Sequence, residues 1–300
     1  MSHVLVLIAN PARADLGLDP VNAAAAALEA AGATHHGRPR WLAKGIAAEI
    51  PFGEIEAVVA EEAARTALPG LPFDIAAVPA ENRRKRLLVS DMESTIIQQE
   101  MLDELAELVG LRDRIAAITA RAMNGEIDFA GALRERVGLL KGLGQEALDQ
   151  CMARITEMPG AGTLVRTMAA HGAHCVLVSG GFRHFTRPVA ERFGFHEDHA
   201  NVLEVAEGRL AGTVAEPILD KEAKRVHLER IASARGLTPE DALTVGDGAN
   251  DLPMLLAAGM GVAFHAKPAV AEAARLRIDH GDLTALLYLQ GYSAEDFATA

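Results

Sequence analysis

Three apolar runs after residue 84 end in small or acidic residues, and their recurrence constrains the fold more than any other feature. The runs read RLLVSD, HCVLVSG and ALTVGD, and two shorter ones follow at MGVAF and RLRID. Segments with helical periodicity separate them, and strands that alternate with helices are typical of a parallel sheet. The sequence therefore predicts an α/β fold with a Rossmann-like parallel sheet within residues 84–300.

A long insert separates the first two of these strands. Residues 98–158 show helical patterns throughout, in EMLDELAELVG, DRIAAITARAMNG, FAGALRERVGLLKGL and QEALDQCMARI. Because the insert directly follows the first strand of the sheet, we expect an all-helical cap over the carboxyl edge. A later segment, VLEVAEGRLAGTV, predicts a β-hairpin that turns at Glu207-Gly208 and is a candidate flap.

Residues 1–80 have a different pattern, in which strands and helices follow the order β-α-β-β-α-β. The strands are HVLVLIA, RPRWLA, GIAAEIPF and FDIAAVP, and the helices are VNAAAAALEAAG, closed by Gly32, and IEAVVAEEAARTAL. This order is typical of a ferredoxin-like α+β domain. The polar, basic segment AENRRKR at 80–86 then marks the boundary with the second domain.

Composition limits the class of protein. The chain has 300 residues, of which 50% are hydrophobic, enough for two globular domains. The net charge of −12 argues against general nucleic-acid binding, which requires clustered Lys and Arg. Two cysteines, no basic N-terminal leader and no apolar run of membrane-spanning length predict a cytoplasmic protein outside the membrane. A homodimer stays open on these grounds.

The ends of the three main strands carry the candidate functional residues. In open α/β sheets, ligands bind outside the carboxyl ends of the strands. The chain therefore brings one set of small and polar residues to a single crevice: Asp91, Glu93, Ser179, Gly180, Gly181, Asp247, Asn250 and Asp251. Each motif alone also fits a tight turn or a capped helix start. Three such motifs at equivalent positions of one sheet favour a site.

The four acids of this set would repel one another without a cation. Oxygen ligands without His or Cys favour a hard ion, and Mg²⁺ also leaves coordination positions for a substrate phosphate. The glycines after Ser179 allow backbone N–H groups to approach an anion. Lys224 precedes the third strand and is a candidate charge for the phosphate, although a lysine at such a helix start, taken alone, is more often solvated.

The motifs together resemble a known family. DMEST, SGGF, a lysine and GDGANDLPML in this order resemble the haloacid dehalogenase superfamily of aspartate-nucleophile phosphatases. The cap segments STIIQQEMLDELAE and MNGEIDFAGALRERVGLLKG resemble those of its bacterial phosphoserine phosphatases. The resemblance covers about residues 84–290, and the first 80 residues are similar, more weakly, to the ACT-like domain of some members. It implies Mg²⁺-dependent hydrolysis of O-phosphoserine to serine and phosphate, the last step of serine biosynthesis.

The resemblance also implies a role for each matching residue of the crevice. Asp91 is expected to attack phosphorus and form an aspartyl-phosphate, while Glu93, where the family usually has Asp, exchanges protons with the seryl oxygen and water. The expected Mg²⁺ site consists of the Asp91 carboxylate, the backbone carbonyl of Glu93, Asp247 and the supporting acid Asp251. The expected phosphoryl-binding residues are Ser179, Gly180, Lys224 and Asn250.

The cap would recognise the rest of the substrate. The resemblance implies that Glu100 binds the ammonium group and that Arg136 binds the carboxylate, a role that suits a guanidinium. Met123 and Phe129 are expected to close over the ligand and exclude water. Without the surrounding motif, these apolar residues would be read as cap core and Arg136 as an exposed ion-pair partner.

Two alternatives stay open. A phosphatase or phosphotransferase of the same superfamily could act on phosphohomoserine or another small phosphomonoester, since Glu100 and Arg136 do not measure chain length. A non-catalytic, amino-acid-binding regulator is the alternative from another class, and the Glu at position 93 is the one feature that favours it. Retention of Asp91, Ser179, Lys224 and both later acids argues against a decayed site.

Overall fold

Two main sheets organise the chain in the computed structural model, which describes residues 2–34, 38–123 and 126–298, with Met123 described by its backbone alone. The first sheet contains four strands and the second contains six. This arrangement confirms the predicted α/β fold with an N-terminal α+β unit. The domain limits 1–80 and 84–300, as independently folding units, stay predictions.

The N-terminal unit has the predicted β-α-β-β-α-β order. Its elements are β1 (His3–Ala9), α1 (Leu18–Ala30), β2 (Arg40–Ala43), β3 (Ala47–Phe52), α2 (Ala57–Ala67) and β4 (Phe73–Pro79). The sheet order is β2-β3-β1-β4, and β1 is antiparallel to both of its neighbours. Helix α1 begins three residues before the predicted Val21, because Pro20 is tolerated in a first turn, where backbone N–H groups have no helical partner.

The two faces of the N-terminal sheet pack against different parts of the molecule. Successive strand residues point to opposite faces. Leu5 and Leu7 of β1 belong to a core shared with α1 and α2, whereas Val6 and Ile8 belong to the large core that contains residues of the second sheet and its helices. The N-terminal sheet is therefore buried on both sides.

The second sheet is entirely parallel, as predicted. Its strands are β5 (Leu87–Ser90), β6 (His174–Phe182), β7 (Glu197–Asn201), β10 (Ala242–Gly246), β11 (Met260–Phe264) and β12 (Leu276–Ile278), in the order β12-β11-β10-β5-β6-β7. The helices α7 (Ala161–Ala170), α8 (Arg183–Phe193), α9 (Lys221–Ala234), α10 (Leu252–Ala257), α11 (Pro268–Ala273) and α12 (Ala285–Leu289) accompany it. The edge strand β7 was not predicted.

The regular structure of the insert consists of helices, apart from isolated β-bridges at Gly144 and Glu157, in agreement with the predicted helical cap. Its helices are α3 (Met101–Leu108), α4 (Arg112–Met123), α5 (Phe129–Gly138) and α6 (Gln145–Met152). The predicted hairpin consists of β8 (Leu203–Ala206) and β9 (Arg209–Val214), and its turn residues Glu207 and Gly208 both have positive φ. Gly142 N donates to Leu210 O, so the hairpin is tied to the cap.

The order of the strands places the three motifs side by side. Strands β10, β5 and β6 are direct neighbours, and Ser90 pairs with Val245 on one side and Leu177 on the other. Residues 179–181, expected in a loop, lie within β6, whose pairing with β7 is irregular between Val178 and Phe182. No helix among the described residues is both long enough and apolar enough to cross a membrane.

Candidate active site

A cavity of about 430 Å³ opens between the carboxyl edge of the second sheet and the cap. Most of the predicted site residues line it: Asp91, Glu93, Glu100, Phe129, Arg136, Gly180, Asp247 and Asn250. Ser179, Lys224 and Asp251 are completely or almost completely buried, outside the lining. The side chain of Met123 lies outside the described residues, so its predicted role is left as a prediction.

A buried lysine links two acids at the floor of the cavity. Lys224 Nζ lies 2.8 Å from Asp91 Oδ1 and donates to Asp251 Oδ1 at 2.6 Å, and only 1% of its side chain is exposed. Burial alone would lower the pKa of Lys224, but the two carboxylates outweigh burial and raise it. The lysine is therefore a fixed ammonium beside Asp91, unlike the solvated residue that its position alone suggested.

Three carboxylates form a cluster that suits a hard cation. Ligand oxygens of Asp91, Asp247 and Asp251 lie within 4.8 Å of one another, and all three residues are buried. Burial raises the pKa values of Asp91 and Asp247, and the nearby Asp251 raises both further. One lysine cannot neutralise three acids, and an all-oxygen donor set suits a divalent hard ion. The residues present thus fit a bound divalent cation.

Glu93 also lines the cavity, and its two carboxyl oxygens have different neighbours. Met101 N donates to Oε1 at 2.8 Å, and Oε2 lies so close to Gly181 that a Cβ there would be 2.7 Å away. A larger residue at position 181 would require the carboxyl group of Glu93 to move. Burial raises the pKa of Glu93 to about 8, and the neighbouring Glu100 adds to the effect. The group therefore retains a proton near neutral pH.

Asn201, which the sequence analysis did not identify, binds the segment 179–181 on the side away from the cavity. Asn201, at the end of β7, is buried; its Nδ2 donates to Gly180 O at 2.8 Å and its Oδ1 accepts from Leu219 N at 2.7 Å. Ser179 Oγ accepts from Gly181 N at 2.9 Å. The turn of backbone that faces the cavity is thus fixed by side chains on both sides.

The cap contributes one cation and one acid to the opposite wall. Arg136 is half-buried, its Nε donates to Ala132 O at 3.2 Å, and across the described residues no carboxylate lies within ion-pair distance of it. Glu100 is exposed at the rim and accepts from Ser94 Oγ at 2.7 Å. The ring of Phe129, still 37% exposed, lies beside Gly180, where a Cβ would be 3.5 Å from its Cζ. A cationic and an anionic group thus face the cavity together.

Several further lining residues were not predicted, and the polar or charged ones include Ser94, Asp103 and Lys267. Ser94 directly follows Glu93 and has φ of 52°, and its hydroxyl donates to Glu100 Oε1 at 2.7 Å. Asp103 lies three residues after Glu100, at the spacing of one helical turn, which was a usable signal. Lys267 follows the predicted strand MGVAF by three residues, but no acidic or glycine-rich motif accompanies it, so it was not singled out.

Comparisons with known proteins agree with this geometry. The model of the haloacid dehalogenase-like hydrolase family matches residues 88–256. A phosphoserine phosphatase of Streptomyces coelicolor is 41% identical over 256 residues, which are 85% of this chain and 62% of the relative. Phosphoserine phosphatase SerB2 of Mycobacterium tuberculosis is 42% identical over 218 residues, which are 73% of this chain and 53% of the relative. The chain thus spans less than two thirds of the length of either relative.

A solved structure extends the similarity to both sheets. The crystal structure of a HAD family hydrolase from Salmonella enterica serovar Typhi superposes with a TM-score of 0.84 at 27% identity, over 96% of this chain and 98% of that one. The family match covers more than half of the chain and includes the three motifs around the cavity. This chain belongs to the haloacid dehalogenase-like hydrolase family.

Proposed function

We propose that the chain is a Mg²⁺-dependent phosphatase that hydrolyses O-phosphoserine to serine and phosphate through an aspartyl-phosphate on Asp91. The observation that carries the proposal is the buried ion pair of Lys224 with Asp91 beneath a cavity whose walls present Arg136 and Glu100. The names of the relatives from Streptomyces coelicolor and Mycobacterium tuberculosis support the same substrate.

The contacts of Asp91 suit a nucleophile. Lys224 Nζ and Met92 N both bind Oδ1, at 2.8 and 2.7 Å, so the carboxylate has one orientation. In the reaction, an oxygen of Asp91 forms a bond to phosphorus while the bond from phosphorus to the seryl oxygen breaks. Lys224 stabilises the negative charge of the phosphoryl group throughout, together with Ser179, Gly180 and Asn250.

Glu93 supplies and then removes the proton. Its protonated carboxyl group donates to the departing seryl oxygen, and the resulting carboxylate accepts a proton from the water that hydrolyses the phospho-aspartate. Oε1 is already held by Met101 N, so Oε2 is the oxygen that exchanges the proton. The side chain thus acts as acid in the first half of the reaction and as base in the second.

Asp91, Asp247 and Asp251, with the backbone carbonyl of Glu93, would hold the cation, for which we propose Mg²⁺. When bound, the ion supplies charge stabilisation and Lewis-acid polarisation of the phosphoryl oxygens. Arg136 binds the substrate carboxylate and Glu100 the ammonium group, while Phe129 and Met123 restrict water. A cytoplasmic location and a homodimer remain part of this proposal.

A panel of phosphomonoesters with Mg²⁺ tests the substrate. We expect the highest kcat/KM for phosphoserine, and comparable turnover of phosphohomoserine would contradict serine specificity. Formation of a hydroxylamine-sensitive phosphoenzyme, absent in Asp91→Asn, tests the mechanism. Tight serine binding without any phosphoenzyme would instead support the amino-acid-binding regulator.

A further inference from the structure

The loop that follows β12 is bound by the N-terminal sheet. Asp74 of β4 is 3% exposed, and its carboxylate accepts backbone N–H bonds from Asp279 at 2.7 Å, His280 at 3.1 Å and Gly281 at 2.7 Å. Asn10 Nδ2 adds a bond to His280 O at 2.8 Å. A buried carboxylate with three N–H donors fixes the backbone more firmly than a surface contact would.

This loop in turn fixes His265, the residue that follows β11. His265 N donates to Ile278 O at 2.9 Å, and its Nε2–H donates to Gly281 O at 2.8 Å. His265 has φ of 43°, a backbone conformation that residues other than glycine rarely adopt. Contacts with neighbouring residues are needed to stabilise it. Because His265 is exposed, these two hydrogen bonds and its stacking on Phe264 are what hold it.

Two residues after His265, the chain reaches the cavity. Lys267 N donates to Asp247 O at 3.1 Å, and Lys267 Nζ lies 3.6 Å from Asp247 Oδ2. Among the described residues that line the cavity, the cations are Arg136 and Lys267. Arg136 lies on the cap wall, whereas Lys267 is 68% exposed at the mouth. The carboxylate of Asp74 is thus connected to the mouth of the cavity by two hydrogen bonds, through Gly281 to His265, and then by two residues of backbone from His265 to Lys267.

We propose that Lys267 is a further substrate-binding residue, which attracts the phosphate dianion at the mouth of the cavity, and that Asp74 is a positioning residue that sets Lys267 from the N-terminal sheet through Gly281 and His265. The first part rests on the proposed function, because it assumes a phosphomonoester as substrate. The N-terminal unit thereby contributes to the phosphatase site without touching the substrate.

The exposure of Lys267 determines how much its charge can contribute to substrate binding. A charge at a solvated rim acts mainly on encounter and binding, and its contribution decreases with salt. We therefore expect Lys267→Met to raise KM for phosphoserine about three- to fivefold at low salt, with little change in kcat. Lys267→Arg should restore most of the affinity because it keeps the charge.

A double-mutant cycle on the full chain tests the connection between the two residues. In Asp74→Asn, one carboxylate oxygen becomes an NH₂ group, which cannot accept a hydrogen bond from the backbone N–H that faces it. The loop at 279–281 should then no longer position Lys267, so KM should rise to a similar extent as in Lys267→Met. If Asp74 acts through Lys267, the double variant should have the KM of Lys267→Met alone rather than the product of both effects. His265→Ala removes the exposed link between the two residues and should behave as Asp74→Asn does, even if Asp74→Asn fails to fold.

Glu49→Gln provides the matched control. Glu49 is also a buried carboxylate of the N-terminal sheet, 5% exposed, but it pairs with Arg83 at 2.8 Å, whose guanidinium donates to carbonyls of α12 rather than to the 279–281 loop. Weakening the Glu49–Arg83 pair should loosen the packing of the N-terminal sheet without changing the contacts that link Asp74 to Lys267. KM should therefore stay at its parental value.

Three results would overturn the proposal. Multiplicative effects in the double variant would show that Asp74 acts independently of Lys267, and a raised KM in Glu49→Gln would indicate general loosening. A lower Mg²⁺ requirement for Lys267→Met with unchanged KM would show that the lysine only screens Asp247. If the parent did not hydrolyse phosphoserine, the proposed function would fail, and the same cycle would be measured with the affinity for inorganic phosphate.

Discussion

At the scale of single residues, Glu93 is one methylene longer than the Asp that the family usually has at this position. Its carboxyl group is hydrogen-bonded at one oxygen, and the other oxygen faces the cavity. Met101 N fixes Oε1, whereas Oε2 faces Gly181 and the cavity. Glu93→Asp should keep most of the turnover, because the shorter acid still carries a proton beside the phosphoryl group. Glu93→Gln keeps the shape and loses the proton, so kcat should decrease by about 10² or more.

Rapid-quench measurement of the phosphoenzyme separates this loss from a loss of binding. The seryl oxygen must be protonated as the phosphoenzyme forms, so Glu93→Gln should slow that first step and not only its hydrolysis. Parental kcat in Glu93→Gln would show that another group protonates the leaving oxygen.

Arg136 permits a second test at this scale, because its half-buried guanidinium has no ion-pair partner among the described residues. A substrate carboxylate would supply one, and a hydrogen-bonded charge pair in such a place is stronger than one at the surface. Arg136→Ala should therefore raise KM for phosphoserine about tenfold or more, with a smaller change in kcat. Phosphoethanolamine, which lacks the carboxylate, is the control: its KM should not change, and an equal increase would place Arg136 at the phosphate instead.

The residues that the sequence could reveal are those in compact motifs. Asp91, Glu93 and Asp247 follow apolar strands directly, so strand periodicity alone brings them to one edge of the sheet. Asn201 and Lys267 reach the same edge from segments without a motif, and their contacts depend on the pairing of β7 and on the course of the chain after β11. Position in a motif is local information, whereas these contacts are tertiary.

At the scale of elements, β7 shows why a strand can escape sequence analysis. Its sequence, EDHAN, has no apolar alternation, because it is an edge strand whose first four residues are only partly buried. Backbone pairing with β6 stabilises it, and side chains such as Thr186, which donates to Asp198 Oδ2 at 2.8 Å, satisfy its acids. The other strands of this sheet are apolar and were predicted.

The contact between β7 and α9 makes stability depend on pH. His227 of α9 packs against His199 of β7 with ring centroids 4.4 Å apart and the rings tilted by 33°, and Arg230 Nη2 donates to His227 Nδ1 at 3.2 Å. Burial, with His199 and Arg230, lowers the pKa of His227 to about 4, although Glu197 opposes the shift. The unfolded chain binds this proton near pH 6.5, so the contribution to stability is complete above pH 6.5 and is lost between pH 6.5 and 4.

His227→Gln should therefore flatten the decrease of stability over that range. The effect should be about 1 kcal/mol, less than full burial would give, because the imidazole is half-buried and solvent screens it. Urea midpoints at pH 7.5 and 5 measure it. Val226→Gln, at an exposed neighbouring position of α9, introduces the same residue without touching the imidazole and should keep the parental pH dependence. An unchanged slope in His227→Gln would contradict the assignment.

At the scale of the whole molecule, the segment 80–86 does more than join two domains. Arg83 donates to Glu49 and to the carbonyls of Leu289 and Tyr288, and Lys85 N donates to Gln290 Oε1 at 3.0 Å. Its polar, basic composition predicted a connector, but the sequence could not show that the Arg83 guanidinium is largely buried between Glu49 of β3 and the carbonyls of α12. The sequence of β1 carried more information, because its apolar residues are continuous from Val4 to Ala9 rather than alternating, as in a strand that is buried on both faces.

The shared core predicts that the chain unfolds as one unit. Three buried isoleucines lie in three different cores: Ile75 in the N-terminal unit's own core, Ile8 in the shared core and Ile231 in the core on the far side of the second sheet. Substitution of each by Ala should cost about 2–5 kcal/mol, and in a cooperative structure each should shift every unfolding signal equally.

The chain provides separate signals for its two parts, because its only tryptophan, Trp41, lies in β2, whereas the proposed phosphatase activity would report on the second sheet. Urea transitions followed by Trp41 fluorescence and by activity should coincide in the parent and in all three variants. If the sheets unfolded independently, Ile75→Ala would shift only the fluorescence transition and Ile231→Ala only the activity transition. The Ile8→Ala variant would then shift both, because its side chain lies between them. Coincident shifts in Ile75→Ala and Ile231→Ala are therefore the decisive result, since the two side chains share no core.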